Sequence, residues 1–411
     1  MTGKPRILLC WEAGANRGHV LTLAGVAKAL SGQASFQARL CRMDHASVLA
    51  PYCADISRGW PLKHQKLSAE AAEKAAQFKL TWATWLRARG YDDWYFLRAA
   101  FQWWCDTIWE VRPAMVVGDY APTALMAARA LGIPSLAVGH VYGLPPSDMT
   151  CFPVIGRHDA PLQLDQDAFC ARINDALGPI GLPTLDWLPQ VYQSTLTFPH
   201  GLSLCDPYAE WRTQPPLSPF DSMPDLNSRR GDVLFAYIPA KEVRKKTILT
   251  TLRQVALPTV LVSPFLDDPT RAILKQNPML DIRLTPLPMN EIVARARMIL
   301  CLGQGGTTAL AVLSGLPCLA LPSDQEKDSN ATRAAVLPSF RRIAKADRSA
   351  ERILTVLHEM WNDTSLQDAA RESAVRLRKA DVPLRGNALR RIVSRLLLQG
   401  ALSGSTKGWP L

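Results

Sequence analysis

Short apolar runs alternate with helical patterns along the first half of the chain. Residues 5–11, 113–119 and 134–140 are nearly continuous apolar runs, which predicts strands buried on both faces. Residues 18–30 and 121–132 carry apolar positions at helical spacing, which predicts helices between them. Because strands that alternate with helices are typical of parallel sheets, the pattern predicts a doubly wound α/β domain.

The alternation stops at residues 206–232 and then begins again. This stretch is rich in proline and polar residues and sustains neither regular structure, which predicts a domain boundary. Beyond it we predict strands at 232–239, 258–264, 298–303 and 317–322, and helices at 243–256 and 307–315. A chain of 411 residues also exceeds one ordinary core.

We therefore predict two doubly wound domains that face each other, with ligands at the carboxyl ends of their strands. The first domain spans 1–205, a linker spans 206–232 and the second domain spans 233–384. The remaining 385–411 includes an amphipathic helix that we expect to pack back on the first domain.

Composition narrows the class of protein. Hydrophobic residues make up 48% and charged residues 20%, as in a soluble globular protein. The first apolar run, ILLCW, is too short for a signal peptide or a membrane span. The nine cysteines show neither the regular spacing of a disulfide framework nor the spacing of a zinc site. We therefore expect buried free thiols and a cytoplasmic protein.

The net charge of +11 is concentrated towards the end, where residues 341–411 hold 14 Lys/Arg against 7 Asp/Glu. A basic surface attracts nucleic acid, an anionic membrane or an anionic substrate. No basic stretch is interleaved with aromatics, so no nucleic-acid partner is predicted. Peripheral membrane contact through the basic C-terminal region stays open beside a merely solvated basic face.

A glycine-rich junction lies where a predicted strand meets a helix. Gly303, Gly305 and Gly306 precede Thr307 and Thr308. Glycines let backbone N–H groups approach a ligand closely, and a phosphate is the usual ligand at a helix N-terminus. The alternative is a tight strand–helix turn without a ligand.

Two polar residues are predicted at strand ends of the first domain. His19 follows the first strand and Gly18, and its imidazole is suited to accept a proton near neutral pH. Asp119 ends a later strand at the same edge, where a carboxylate can orient that imidazole. The alternatives are a helix N-terminal hydrogen bond for His19 and an N-cap of the helix after Pro122 for Asp119.

Three segments together resemble the two-domain GT-B glycosyltransferases of the UDP-glucuronosyltransferase and antibiotic-glycosyltransferase type. The segment 303–307, followed by Gly315-Leu316-Pro317 and Asn330-Ala331, is similar to that family's donor-site pattern. The segment 14–19 resembles its first loop, and 116–119 resembles the segment that supplies the partner carboxylate.

The resemblance implies two Rossmann-like domains, a nucleotide-sugar donor that is UDP-linked, and roles for individual residues. His19 would be the base and Asp119 its partner, with Asn16 and Gly18 in the first loop. The implied donor residues are Gly303, Gln304, Gly305, Gly306, Thr307 and Thr308 for the diphosphate, Glu326, Lys327 and Asn330 for the sugar, and Met289 for the base. Leu302 and Leu310 replace the family's donor-site His and its ribose-binding Glu.

No metal or further cofactor is predicted. Asp165-Gln166-Asp167 has the Asp-x-Asp spacing of metal-dependent glycosyltransferases, but it precedes a predicted helix, where acidic residues act as caps. Six of the twelve tryptophans fall between 82 and 109 at helical spacing. That spacing usually builds core, although the resemblance places acceptor-pocket helices here.

The sequence therefore predicts inverting transfer of a sugar from a nucleotide diphosphate to an acceptor hydroxyl. The acceptor itself, whether small molecule, lipid or polysaccharide intermediate, is not specified by any motif. A nucleotide-sugar epimerase on the same fold and a catalytically silent nucleotide-sugar-binding protein remain alternatives.

Overall fold

The computed structural model describes residues 4–14, 17–64, 77, 79–156, 160–162, 164–227, 231–380, 386–391 and 393–394. The chain forms two compact units. The first comprises Met1–His200, Pro207–Leu217 and Arg385–Leu411, and the second comprises Gly201–Asp206 and Ser218–Leu384. The predicted boundary 206–232 is thus itself divided between the units.

The first unit contains a parallel six-stranded sheet in the order β3-β2-β1-β5-β6-β8. Its strands are β1 Arg6–Trp11, β2 Ser35–Leu40, β3 Cys53–Arg58, β5 Met115–Asp119, β6 Ser135–His140 and β8 Leu196–His200. β4 Leu80–Thr81 and β7 Val154–Gly156 form a separate antiparallel pair. The helices are α1 Arg17–Ala29, α2 Trp82–Leu86, α3 Trp94–Val111, α4 Pro122–Ala130 and α5 Gln166–Leu177.

The second unit repeats this topology in a second parallel sheet, β11-β10-β9-β12-β13-β14. Its strands are β9 Val233–Tyr237, β10 Thr259–Val262, β11 Leu280–Arg283, β12 Ala296–Cys301, β13 Cys318–Ala320 and β14 Phe340–Arg342. The helices are α6 Ala240–Val243, α7 Lys246–Gln254, α8 Asp268–Leu274, α9 Met289–Arg295, α10 Gly305–Ser314, α11 Gln325–Ala334, α12 Ala350–Asn362 and α13 Ser365–Ala380.

Both sheets have the doubly wound Rossmann order, in which the chain winds outwards from the first strand and then continues on its other side. In folds of this order ligands bind at the reversal, which here lies between β1 and β5 in one unit and between β9 and β12 in the other. Five of the six residues of β1 are buried, because helices cover both faces of a parallel sheet.

Helical residues near the C-terminus pack into the core of the first unit. Ala388, Leu389 and Val393 are buried in that core, and Arg390 Nε donates to the Ala29 carbonyl at 3.1 Å. The rest of the predicted basic C-terminal region, 381–385, 392 and 395–411, lies outside the described residues.

Three sequence predictions need correction. The predicted helix 243–256 begins only at Lys246, as α7, because Lys245 adopts an extended conformation, and Val243 instead ends the short helix α6. Helix α10 begins at Gly305 rather than at Thr307, so two loop glycines form its first turn. All nine cysteines are free, but Cys151 is exposed and Cys53 and Cys105 are only partly buried.

Candidate functional site

The ends of β1 and β5 lie level with each other at the sheet reversal of the first unit. Trp11 is paired with Asp119 across the two strands, and His19 lies in the first turn of α1, which follows β1. His19 Nδ1 is 3.1 Å from Asp119 Oδ1. Sequence analysis predicted that these residues, 100 positions apart, would share one edge, and the structure brings them into hydrogen-bond contact.

The Asp119 side chain is 1% exposed, whereas the His19 side chain retains 16% exposure. A buried carboxylate beside an imidazole favours the tautomer that carries its proton on Nδ1. Nε2 is then the ring atom that can accept a proton from a substrate.

Aromatic rings hold the imidazole in place. Trp11 stacks on His19 with ring centroids 5.3 Å apart, and Tyr120 approaches edge-on at 4.7 Å. The Trp11 indole N–H donates to the Ala13 carbonyl, which ties this ring to the chain before α1. His19 is therefore fixed by one carboxylate and two rings.

Gly14 leaves the space that the imidazole occupies. Its φ is +101°, and a Cβ built on it would lie 2.3 Å from His19 Nε2. Both the left-handed conformation and this close approach require glycine. Of the other first-loop residues, Gly18 has open space around it, and Asn16 lies outside the described residues.

Glu12 caps α4, a role that sequence analysis had offered as an alternative for Asp119. The two carboxyl oxygens of Glu12 accept from the backbone N–H groups of Thr123 and Ala124, both at 3.0 Å. Ala121 is the N-cap residue and provides no side-chain bond. Asp119 is therefore available to His19, because another acid satisfies the helix start.

Glu12 is fully buried, and this burial raises the pKa of its carboxyl to about 8, although the two backbone hydrogen bonds act in the opposite direction. Sequence analysis missed this residue. The signal was present as an acid directly after a continuous apolar strand, ILLCW.

Tyr120 is a second residue that the sequence did not indicate. Its φ of +50° is left-handed, which is uncommon for a bulky residue and marks backbone strain between β5 and α4. A Cβ on Gly143 would lie 1.9 Å from the Tyr120 ring. Gly143 thus makes room for the ring that contacts His19.

The tryptophans between residues 82 and 109 differ in burial, so only some of them belong to the core. Trp82 and Trp104 are fully buried, whereas Trp94 and Trp109 are substantially exposed. Trp85 is half-buried, stacks on Trp82 at 4.6 Å and meets Tyr120 at 5.7 Å. Trp85 and Tyr120 therefore form a continuous aromatic surface that reaches His19.

His140, which ends β6, was predicted as a possible acceptor contact. Its Nδ1 accepts from the backbone N–H of Tyr142 at 3.4 Å, and its ring is 6.3 Å from that of His200. The neighbouring Gly139 lies beside Asp119, since a Cβ there would be 3.4 Å from Oδ1.

In the second unit, the glycine-rich junction follows β12 at the sheet reversal. Gly303 has a φ of +84°, and a Cβ on it would lie 2.4 Å from the Lys327 carbonyl oxygen. Packing against α11 thus explains this glycine. Gly306 is exposed and a Cβ on it would contact nothing within 4 Å. The start of α10 is therefore open at Gly306, and Thr307 is half-buried there.

Three of the residues predicted to bind the donor, Gln304, Thr308 and Asn330, are held within this junction by hydrogen bonds or burial. Gln304 Oε1 accepts from the Leu302 N–H at 2.8 Å, and its Nε2 donates to the Tyr237 carbonyl at 3.4 Å. Thr308 is fully buried. Asn330 is also fully buried, and its Nδ2 donates to the Gly303 carbonyl at 3.1 Å. A sugar contact by Asn330 would require this side chain to leave its buried position.

The remaining donor candidates lie in the first turns of two helices. Glu326 is half-buried in α11. Lys327 Nζ pairs with Asp324 and lies 3.1 Å from Ser323 Oγ. Met289 is the first residue of α9, half-buried against the core. Leu302 and Leu310 are both buried in the core.

Asp165 caps α5, as the sequence indicated. Its Oδ1 accepts from the N–H groups of Asp167 at 2.9 Å and Ala168 at 3.1 Å. Within the described ranges, no group of three His, Cys, Asp or Glu residues could hold a metal ion. No helix in the described part of the chain is long and apolar enough to cross a membrane.

No family model and no curated protein matches the sequence. Solved structures do match. The calicheamicin glycosyltransferase CalG4 has a TM-score of 0.65 at 16% identity, with 96% of this chain and 98% of that chain covered. The glycosyltransferase VinC, solved with DTDP, has a TM-score of 0.60 at 15% identity, with coverage of 97% and 100%.

A UDP-glucosyltransferase from Polygonum tinctorium has a TM-score of 0.61 at 14% identity, with 96% of this chain and 99% of that chain covered. Each of these matches covers 96% or 97% of this chain and therefore includes both units. The chain therefore has the fold of the GT-B glycosyltransferases, with two Rossmann-like units, as the sequence predicted.

Proposed function

We propose that this protein is a glycosyltransferase that moves a sugar from a nucleotide diphosphate donor to an acceptor hydroxyl. The proposed donor is UDP-linked. The transfer inverts the anomeric carbon and uses no metal ion. The contact between His19 Nδ1 and Asp119 Oδ1 at 3.1 Å carries this proposal. A silent binding protein would need neither a buried carboxylate behind an imidazole nor a glycine beside Nε2.

In the proposed reaction, the acceptor hydroxyl transfers its proton to His19 Nε2 as its oxygen attacks the anomeric carbon. The new C–O bond forms as the bond from that carbon to the diphosphate oxygen breaks. The nucleoside diphosphate leaves with the bonding electrons. Asp119 stabilises the imidazolium that forms, because it is a carboxylate held against Nδ1.

The donor's diphosphate is proposed to bind at the start of α10. The first N–H groups of a helix have no partner within it, and the helix dipole stabilises an anion there by about 0.3–1 kcal/mol when exposed. Gly306 and Thr307 are the open residues of that turn. Gln304, Thr308 and Asn330 would act by holding the turn in shape, and Glu326 stays the proposed contact for the sugar.

A donor screen tests the proposal. The protein is incubated with UDP- and dTDP-linked sugars, with and without a panel of hydroxylated acceptors, and release of nucleoside diphosphate is measured. At least one donor should be turned over by the parent and much more slowly by His19→Ala. Tight nucleotide binding without turnover in either protein would favour the silent binder, for which the buried Leu302 and Leu310 are the supporting observation.

A further inference from the structure

Arg89 lies in the turn that follows α2, where Gly90 has a φ of +98°. Its guanidinium is half-buried and packs over the Trp85 ring, 5.2 Å from the centroid. Trp85 in turn meets Tyr120, and Tyr120 meets His19. Arg89 therefore stands at the far end of the aromatic surface that begins at the candidate base.

The hydrogen bonds of Arg89 are incomplete. Nη1 donates to the Lys63 carbonyl at 3.2 Å and lies 2.8 Å from His64 Nδ1. Nε is buried and has no partner. Among the residues that the structure describes, Nη2 makes no hydrogen bond, and it is not one of the buried polar atoms.

Arg89 also lacks a counter-ion. In the described part of the chain it forms no ion pair with a carboxylate, whereas the adjacent Lys63 ammonium has Asp93. Burial lowers the pKa of the guanidinium, and the Tyr120 phenol acts in the opposite direction. A partly desolvated cation without a counter-ion is costly to the fold. A purely structural role, in which Arg89 holds the backbone at Lys63, accounts for the hydrogen bond of Nη1. It does not account for a guanidinium without a counter-ion.

We propose that Arg89 binds an anionic group of the acceptor, so that the acceptor is a hydroxylated carboxylic acid. The hydroxyl lies at His19, and the carboxylate lies at Arg89, beyond Tyr120 and Trp85. This inference rests on the proposed function, since it assigns the acceptor of that reaction.

A carboxylate fits this position better than a phosphate ester. A phosphate ester carries about −1.5 to −2 charges at neutral pH, whereas a carboxylate carries one. Arg89 supplies one positive charge with Nη1 already engaged, and Asp93 neutralises Lys63. A monoanion therefore matches the charge that is available.

Binding of matched probe pairs tests the assignment without any donor. The panel is 4-hydroxycinnamic, 4-hydroxybenzoic and 6-hydroxy-2-naphthoic acids, each with its neutral amide, titrated by calorimetry at pH 7. At least one acid should bind the parent about tenfold more tightly than its amide, a difference of about 1.4 kcal/mol. Arg89→Gln should remove that difference, and Arg89→Lys should keep part of it.

Arg98→Gln is the matched control, because Arg98 also packs over a ring, that of Trp94, at 5.8 Å. It should leave the preference unchanged. The proposal is overturned if no acid binds the parent more tightly than its amide, or if Arg89→Gln weakens acid and amide equally. Tighter binding of 4-hydroxyphenyl phosphate than of every acid would also overturn it.

If Arg89→Gln fails to fold, the comparison of each acid with its amide in the parent protein still tests the proposal. Acid-selective binding without sugar transfer would refute the proposed function and leave the Arg89 site standing.

Discussion

The imidazole of His19 packs directly against Gly14, in the space that a side chain at position 14 would need. A Cβ on Gly14 would lie 2.3 Å from His19 Nε2. The imidazole can keep its contact with Asp119 only while position 14 has no side chain. The glycine is thus part of the candidate site, although it carries no functional group.

Gly14→Ala should displace the imidazole and strain the backbone, whose φ is +101°. We expect transfer to fall by roughly 10²-fold or more, because a displaced base loses most of its contribution. Nucleotide binding, assigned to the second unit, should not change. Gly18→Ala is the control, because a Cβ there contacts nothing within 4 Å. Equal transfer rates for the two variants would contradict this assignment.

Gly306→Val tests the proposed diphosphate site. The fold should tolerate the change, since a Cβ at Gly306 meets no atom within 4 Å. The branched side chain should crowd a bound diphosphate and weaken UDP binding at least tenfold, or about 1.4 kcal/mol. Calorimetric titration with UDP and the melting temperature check both parts.

Gly303→Ala serves as the comparison, because we expect it to lower stability, whereas Gly306→Val should leave the fold intact. Its Cβ would meet the Lys327 carbonyl oxygen at 2.4 Å, so the melting temperature should drop. If Gly306→Val binds UDP as tightly as the parent, the start of α10 is structural and the donor site lies elsewhere.

Glu12 should make stability depend on pH. Its folded-state pKa of about 8 exceeds the ordinary value of 4.5, so between these values the folded protein holds a proton that the unfolded chain has lost. Stability from this group is therefore complete below about pH 4.5 and is lost as pH rises towards 8. The slope approaches about 1.4 kcal/mol per pH unit.

Urea unfolding of the parent and of Glu12→Gln between pH 5 and 9 checks this sign. The glutamine keeps the shape but does not titrate. The stability of the parent relative to the variant should decline up to about pH 8 and then level off. A difference that is the same at every pH would show that Glu12 is ionised in the folded protein throughout.

Asp165 is expected to contribute to stability and not to catalysis. Asp165→Ala should cost about 0.5–2 kcal/mol of unfolding free energy, the usual effect of losing an N-cap. Asp167→Ala, which removes no cap bond, should cost less. EDTA should not change the rate of sugar transfer by the parent, Asp165→Ala or Asp167→Ala. A rate that EDTA abolishes and Mg²⁺ restores would contradict the proposed metal-free reaction.

Sequence patterns predicted seven of the twelve strands of the two sheets, because these buried parallel strands read as short apolar runs. The other five, β2, β3, β8, β11 and β14, were not predicted, because they are only partly buried and carry polar residues. Sequence patterns could also predict that His19 and Asp119 share an edge, since His19 follows one strand and Asp119 ends another strand of one parallel sheet. The strand–helix junction at 303–307 was visible for the same reason, although its helix begins two residues earlier.

The partners of individual side chains could not be predicted. Glu12 caps a helix 111 positions later, and no local pattern marks that contact. Asn330 matches a donor motif in sequence but is buried beneath Gly303. Burial and long-range hydrogen bonds decide such roles, and both arise only when the sheet is assembled.

The central claim is that His19, held by Asp119, removes the acceptor's proton. The most direct measurement is the single-turnover transfer rate of His19→Ala and Asp119→Asn, with the donor and acceptor that the screen identifies. His358→Ala in α12 serves as the control, and nucleotide affinity is measured for every protein.

The account predicts a loss of roughly 10²–10⁴-fold for His19→Ala with nucleotide affinity unchanged. It predicts a strong loss for Asp119→Asn as well, because an amide can select the wrong imidazole tautomer. If His19→Ala transfers sugar at the parent's rate, or if Asp119→Asn lowers only the melting temperature, the account is contradicted.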